Sequence, residues 1–174
     1  EGDSGGQFNV LVGGMAHGDG MLLAGIRMNF SGPGQSDNIH FLDRCDRSGK
    51  RLVNFFEHTV KVNFAAPVMD EGEGDFPWNR YEVGADGAVF AAVPRNEYAV
   101  TVYAPDGSIV REIRREYESV RRTEAELEIA RRIQEAIGAN YPTPPQEIHV
   151  EPTAPDISSL HAMADGRLWV ATSR

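Results

Sequence analysis

Short runs of recurring apolar residues, each closed by a glycine-bearing turn, set the rhythm of this chain, and one stretch departs from it. In Asn38–Phe56 the apolar positions Ile39, Phe41, Cys45 and Leu52 flank a turn at Gly49. In Glu97–Ile113 the residues Val100, Val102, Ile109 and Ile113 flank a turn at Gly107. This spacing predicts strand, turn, strand. The departure is TEAELEIARRIQEAIG, where Thr123 stands three residues before Glu126, the spacing of a capping box. Ile129, Ile133 and Ile137 follow at i, i+4 and i+8, and Gly138 sits where a C-terminal cap belongs. A helix is therefore expected at about 123–137, its apolar stripe lying against the edge or face of a sheet. The YPTPPQ that follows reads as an extended linker.

A longer period lies over the short one. ADGAVFAAVPR at Ala85–Arg95 returns as ADGRLWVATSR at Ala164–Arg174, shifted by 79 positions. In that register Tyr81 meets Leu160, Phe90 meets Trp169 and Arg95 meets Arg174. HGDGMLLAGIR at His17–Arg27 is a looser third copy, with Asp19-Gly20 at the corresponding turn. Asp-Gly between apolar runs signals a hairpin, and a type I′ turn is expected because glycine supplies the positive φ it needs. Hairpin, loop, hairpin makes four antiparallel strands per unit, the make-up of a propeller blade. The fold class is thus all-β, with four-stranded blade units at about 7–66, 76–120 and 155–174 and a helix-plus-linker insertion at 121–150.

Composition narrows the function classes. With 174 residues, 41% apolar and 25% charged, the chain can bury one sizeable core. A formal net charge of -9 argues against nucleic acid as the partner. The arginines between Arg111 and Arg132 alternate with glutamates, as on a mixed solvated surface. A lone Cys45 excludes an internal disulfide and a C-x-x-C metal site. No apolar run reaches the roughly 18–20 residues of a membrane span.

Candidate chemistry is sparse. Asp19, Asp86 and Asp165 sit where turns favour aspartate for backbone reasons. DEGEGD at Asp70–Asp75 has oxygens enough for calcium but lacks an EF-hand's spacing, and reads as a solvated connector. The five histidines show no zinc-binding spacing, and there is no G-x-S-x-G elbow or P-loop. No cofactor and no metal site are expected. On a propeller, recognition belongs to the loops and the channel rim. There FPWNRY and DISSLH would bring Trp78, Arg80, Tyr81, Ser158 and His161 together, with Arg95 at the opposite side or the rim. Trp78, Arg80, Tyr81, Arg95 and His161 are the candidate ligand-binding residues, and Trp, Arg and Tyr are types enriched at binding hot spots.

WNRYEVGADGAVFAAVPRNEYAVTVYAPDGSIVREIRREY, the helical insertion and LHAMADGRLWVATSR together resemble the bacterial six-bladed β-propeller family. Tyr98 and Asp106-Gly107 fill the family's outer-hairpin pattern; the likeness is good from about Phe55 onward and loose before it. The resemblance implies blades making about half of a ring, the rest supplied by a longer parent chain or a second chain, in a protein exported to the periplasm or beyond the cell. It also implies two functional classes. One is a non-enzymatic module binding a protein, peptide or glycan. The other is a lactone hydrolase or lyase using a channel-bound divalent metal, for which Asp75 and Asn79 offer oxygen ligands.

Overall fold

The longest strands come first, because the apolar alternation runs furthest there. β1 (Gln7–His17), β2 (Gly20–Gly32), β3 (Gln35–Cys45) and β4 (Arg51–Asn63) form an antiparallel meander in chain order. In its register Leu22 pairs with Arg44, Ala24 with Leu42, Ile26 with His40 and Met28 with Asn38, so these residues share one face. β5 (Val68–Asp70) pairs in parallel with β10 (Glu147–His149). A second antiparallel meander follows: β6 (Tyr81–Val83), β7 (Val89–Ala91), β8 (Ala99–Tyr103) and β9 (Ile109–Arg114). After the helix α1 (Glu124–Gly138), β11 (Ile157–Ala162) and β12 (Leu168–Thr172) make a hairpin. The computed structural model describes residues 6–173, where strands are the main regular structure and α1 is the one helix among the described residues. Arg174, the expected counterpart of Arg95, lies outside the described residues.

Alternation along the second sheet explains the packing. Val89, Ala91 and Tyr103 join Leu22, Ala24, Leu42, Phe55 and Phe76 in one core against the first sheet. Ala92 and Val100 join Ile157 and Leu160 in another, bordered by Phe90, Tyr98, Leu168 and Val170. Strands β6–β8 of the second sheet are thus packed on both faces, between the first sheet and the β11–β12 hairpin, while the outer strand β9 is exposed. Among the described residues no sheet closes on itself.

The long repeat is also a repeat in three dimensions. Tyr81, Glu82 and Val83 pair with Ala91, Phe90 and Val89, and Leu160, His161 and Ala162 pair with Val170, Trp169 and Leu168 in the same register. The turns match too: Gly84 N–H donates to the Ala88 carbonyl and Gly87 N–H to that of Gly84, as Met163 does to Arg167 and Gly166 to Met163.

Three expectations are corrected. The Asp-Gly turns are not type I′, because that turn needs positive φ at two central residues and among the described residues no non-glycine has it. Instead Gly87 and Gly166 alone are left-handed, at φ 80° and 84°, while Asp86 and Asp165 accept the backbone N–H two residues on. Asp19-Gly20 is not the same corner: His17 pairs with Gly20, and Gly18 carries the positive φ of a two-residue turn. Finally, the capping box at Thr123 forms, but the isoleucine stripe does not dock. Ile129, Ile133 and Ile137 are 57%, 53% and 45% exposed, whereas the small residues Ala130 and Gly138 are buried, Gly138 against Met69 of β5. Gly138 sits so close to Pro145 that a side chain there would overlap the ring.

Candidate functional site

The acidic segment after β5 is the hub of the molecule rather than a solvated connector. Its backbone is a tight turn: Gly74 N–H donates to the Asp70 carbonyl at 2.9 Å and Glu73 N–H to Asp70 Oδ1 at 2.9 Å. The turn presents Glu71 and Asp75 inward to three arginines, the nearby Arg80 and the sequence-distant Arg95 and Arg122. Arg122 donates to Glu71 Oε2 and Oε1 at 2.6 and 2.7 Å, and Arg95 donates to Glu71 Oε1 at 2.9 Å. Arg95 also reaches Asp75 Oδ1 at 3.1 Å, and Arg80 donates to Asp75 Oδ2 at 2.5 Å. The result is an alternating chain, Arg122–Glu71–Arg95–Asp75–Arg80. Glu71 is 15% exposed and Arg95 10%. Carbonyls of Glu151 and Thr153 and the N–H of Glu151 complete it. Burial pushes the Glu71 carboxyl up, but the Arg122 hydrogen bond, the Glu151 N–H and the charges of Arg95 and Arg122 outweigh it and hold the group below its ordinary value.

This hub forms one side of a cleft of about 990 Å³. The other side is the far half of the first sheet's inner face, where Ile26, Met28, Val60 and Val62 line it. Helix α1 contributes Gln134 and Ile137, with Asn140 and Tyr141 just beyond it. The floor is polar: Asn38 and His40, both on the central strand β3, are buried. Ser36 Oγ donates to Asn38 Oδ1 at 2.6 Å. His40 is ringed by His58, Phe76 and Trp78 at 6.3, 5.6 and 5.3 Å between ring centres. Burial, and secondarily the neighbouring His58, lower its pKa to about 4, so it is neutral near pH 7. His40 Nδ1 has no hydrogen-bond partner, while His58 Nε2 donates to the Glu73 carbonyl at 2.7 Å. Apolar walls with a few convergent polar groups are the make-up of a binding site.

The sequence-derived residues divide. Trp78 and Arg95 line the cleft. Arg80 stands behind it, its charge spent on Asp75. Tyr81 borders the core between the first two sheets, its hydroxyl beside Gly13 of β1. His161 is exposed on β11, opposite Trp169, with Nε2 3.4 Å from Ser159 Oγ. The expected grouping of Trp78, Arg80, Tyr81, Ser158 and His161 on one rim therefore does not form. Trp78 turns back onto His40 of the first sheet, whereas Ser158 and His161 belong to the hairpin on the opposite face of the second. Asp75, offered as a metal ligand, has both oxygens committed to arginines. Among the described residues no group of three or more His, Cys, Asp or Glu side chains could hold a metal ion, and no helix is long and apolar enough to cross a membrane.

Sequence reasoning missed Glu71, Arg122, Asn38 and His40. A signal existed for the last two: Ser36, Asn38 and His40 alternate in step with the apolar Leu42 along β3, which places all four on one face. Comparison of the chain with protein-family models, with curated proteins and with solved structures finds no match.

Proposed function

We propose that these sheets are successive β-propeller blades and that the chain is a non-enzymatic binding module taking a peptide segment of a partner protein into the cleft. The blade reading is supported by strands β6–β8 of the second sheet, packed face-on between two others, and by the shared register of its first hairpin and the β11–β12 hairpin. The binding reading is carried by one observation: the long strands of the first sheet run past the second sheet and leave an apolar half-face, with Asn38 and His40 at its centre, open beneath Trp78. Apolar side chains of a peptide would bury against Ile26, Met28, Val60 and Val62, while Asn38 and His40 offer hydrogen bonds to its polar groups. Panning a phage-displayed library of random peptides on the wild-type chain tests this. Enriched sequences should lose binding to Trp78→Ala and to Met28→Asp and keep it on Trp169→Ala. Peptides that bind the two cleft variants as well as wild type would place recognition elsewhere.

A further inference from the structure

The outer strands of the sheets are not protected alike. β4 carries Arg51, Glu57 and Lys61, and β9 carries Arg111, Glu112 and Arg114. Charges on an edge strand deter pairing with other chains. β12 lacks charge but is only five residues long. β1 is eleven residues long and has neither a charged residue nor a proline from Gln7 to Ala16. Phe8 and Leu11 on it are 59% and 61% exposed. β1 lies at the margin of its sheet, bonded on one side to β2. Among the described residues no backbone hydrogen bond reaches its other side over Gln7–Leu11.

The geometry points to β1 as a self-association edge, to which a second copy of the chain adds its own β1 antiparallel. A bulge between Leu11 and Gly13 limits the regular ladder to Gln7–Leu11 and puts the twofold axis at its midpoint, Asn9. In that register Phe8 of each copy stands opposite Val10 of the other, and Gln7 opposite Leu11. The two Asn9 amides face each other, and each has both donors and an acceptor. No like charges meet in this register. The pairing thus covers Phe8 and Leu11 with partners the chain itself carries. A symmetric pair also makes each of these contacts twice, and twofold dimers are the commonest assemblies. Phe8 and Val10 lie on the same face as Met28 and Ile26, so the apolar walls of two clefts adjoin across the axis. The inference stands apart from what the cleft binds.

Sedimentation velocity on the wild-type chain, up to about 200 µM because small interfaces bind weakly, tests it together with two variants. Leu11→Lys, at an exposed site at the end of the ladder, replaces the apolar contact over Gln7 of the other copy with a cation on the pairing edge and should raise the dimer dissociation constant at least tenfold, with an unchanged circular dichroism spectrum. Asn9→Cys should cross-link between copies under mild oxidation. Opposed residues of an antiparallel pair lie about 4.5–5.5 Å apart at Cα, within disulfide reach, and Cys45 is buried and does not compete. Adding Leu11→Lys to Asn9→Cys should abolish the cross-link. A chain that stays monomeric over the whole range overturns the proposal and leaves another protein's strand as the occupant of this edge. A dimer indifferent to Leu11→Lys, with no Asn9→Cys cross-link, overturns it equally, since that dimer uses another surface.

Discussion

Replacing Glu71 by Gln removes the central anion of the arginine–carboxylate chain while keeping its size. Glu71 accepts two bonds from Arg122, one from Arg95 and one from the Glu151 N–H. The amide retains one acceptor oxygen and turns an NH₂ toward guanidinium donors, and the cluster's formal charge rises by one. Arg95 and Arg122 are 10% and 14% exposed, so the unpaired charge is poorly hydrated. Breaking such a buried pair from one side costs about 3–5 kcal/mol, and the residual exposure favours the lower figure. Glu112 provides the control: its partner Arg114 is 60% exposed, and Glu112→Gln should leave the urea midpoint almost unchanged. Urea unfolding followed by circular dichroism reads both. Arg122→Met added to Glu71→Gln should recover about 1–2 kcal/mol, because it removes one of the stranded cations. Acid should mimic the substitution. The Glu71 carboxyl is held below its ordinary value of 4.5, so the pair's contribution is complete above that pH and drains away as pH falls through the lowered folded value. A Glu71→Gln cost no larger than that of Glu112→Gln would refute the view that this network holds the hub together.

The remaining predictions concern single groups. His40 titrates near pH 4 in the folded chain and near 6.5 when unfolded, so its neutral form stabilises fully above pH 6.5 and that contribution is lost between 6.5 and about 4. His40→Phe should flatten the pH dependence of the urea midpoint in this window, and an NMR titration placing His40 near 6.5 would remove the argument. Gly107 has φ +88°, and a Cβ there would lie 2.6 Å from Val53 Cγ1, so Gly107→Ala should cost more than Gly49→Ala, where φ is +84° but space is open. About 1 kcal/mol for strain alone is expected at Gly49 and about 2–3 at Gly107, read as shifts in melting temperature. Burial, with Asp43 and Asp46 nearby, pushes the Cys45 thiol up, so it should resist a disulfide reagent until urea unfolds the chain. Labelling at the rate of a free thiol would show the β3 end to be open.

What the sequence disclosed and what it hid follow from the range of the interactions involved. Hairpins and the helix start are local: Gly87, Gly107 and Gly166 each close their own turn, and Thr123 caps within three residues. The pattern could not tell a type I′ turn from a longer one with a single left-handed glycine, because both want Asp-Gly. Trp78 and Arg95 were found by residue type and loop position, and both line the cleft. Glu71 looked like one acid among several in DEGEGD because its partners, Arg95 and Arg122, are 24 and 51 residues away. The isoleucine stripe misled for a related reason. Periodicity says that a face is apolar, but the helix comes closest to β5 at Gly138, where Met69 and Pro145 leave no room for a side chain.

The cleft and the ion-pair chain are one construction, and that gives a prediction beyond stability. Phe76 and Trp78 reach His40 only because the segment carrying them is anchored at Glu71 and Asp75, on the near side of the turn. Phe76 is buried and its ring centre is 4.5 Å from that of Trp78, so the indole is positioned by the same loop that the arginines hold. Loosening the anchor should therefore change the surroundings of Trp78 under conditions where the sheets remain folded. In a Trp169→Phe background, Trp78 is the single indole, since Trp169 is exposed and the chain has two tryptophans. Adding Glu71→Gln there should red-shift the emission and raise quenching by acrylamide about twofold, while far-ultraviolet circular dichroism is unchanged. The red shift follows because water gains access to an indole now half-buried against aromatic rings. Unchanged emission in a variant that has lost stability would separate the two: the arginines would then brace the sheets alone, and the wall of the cleft would owe its shape to Phe76 packing on Phe56.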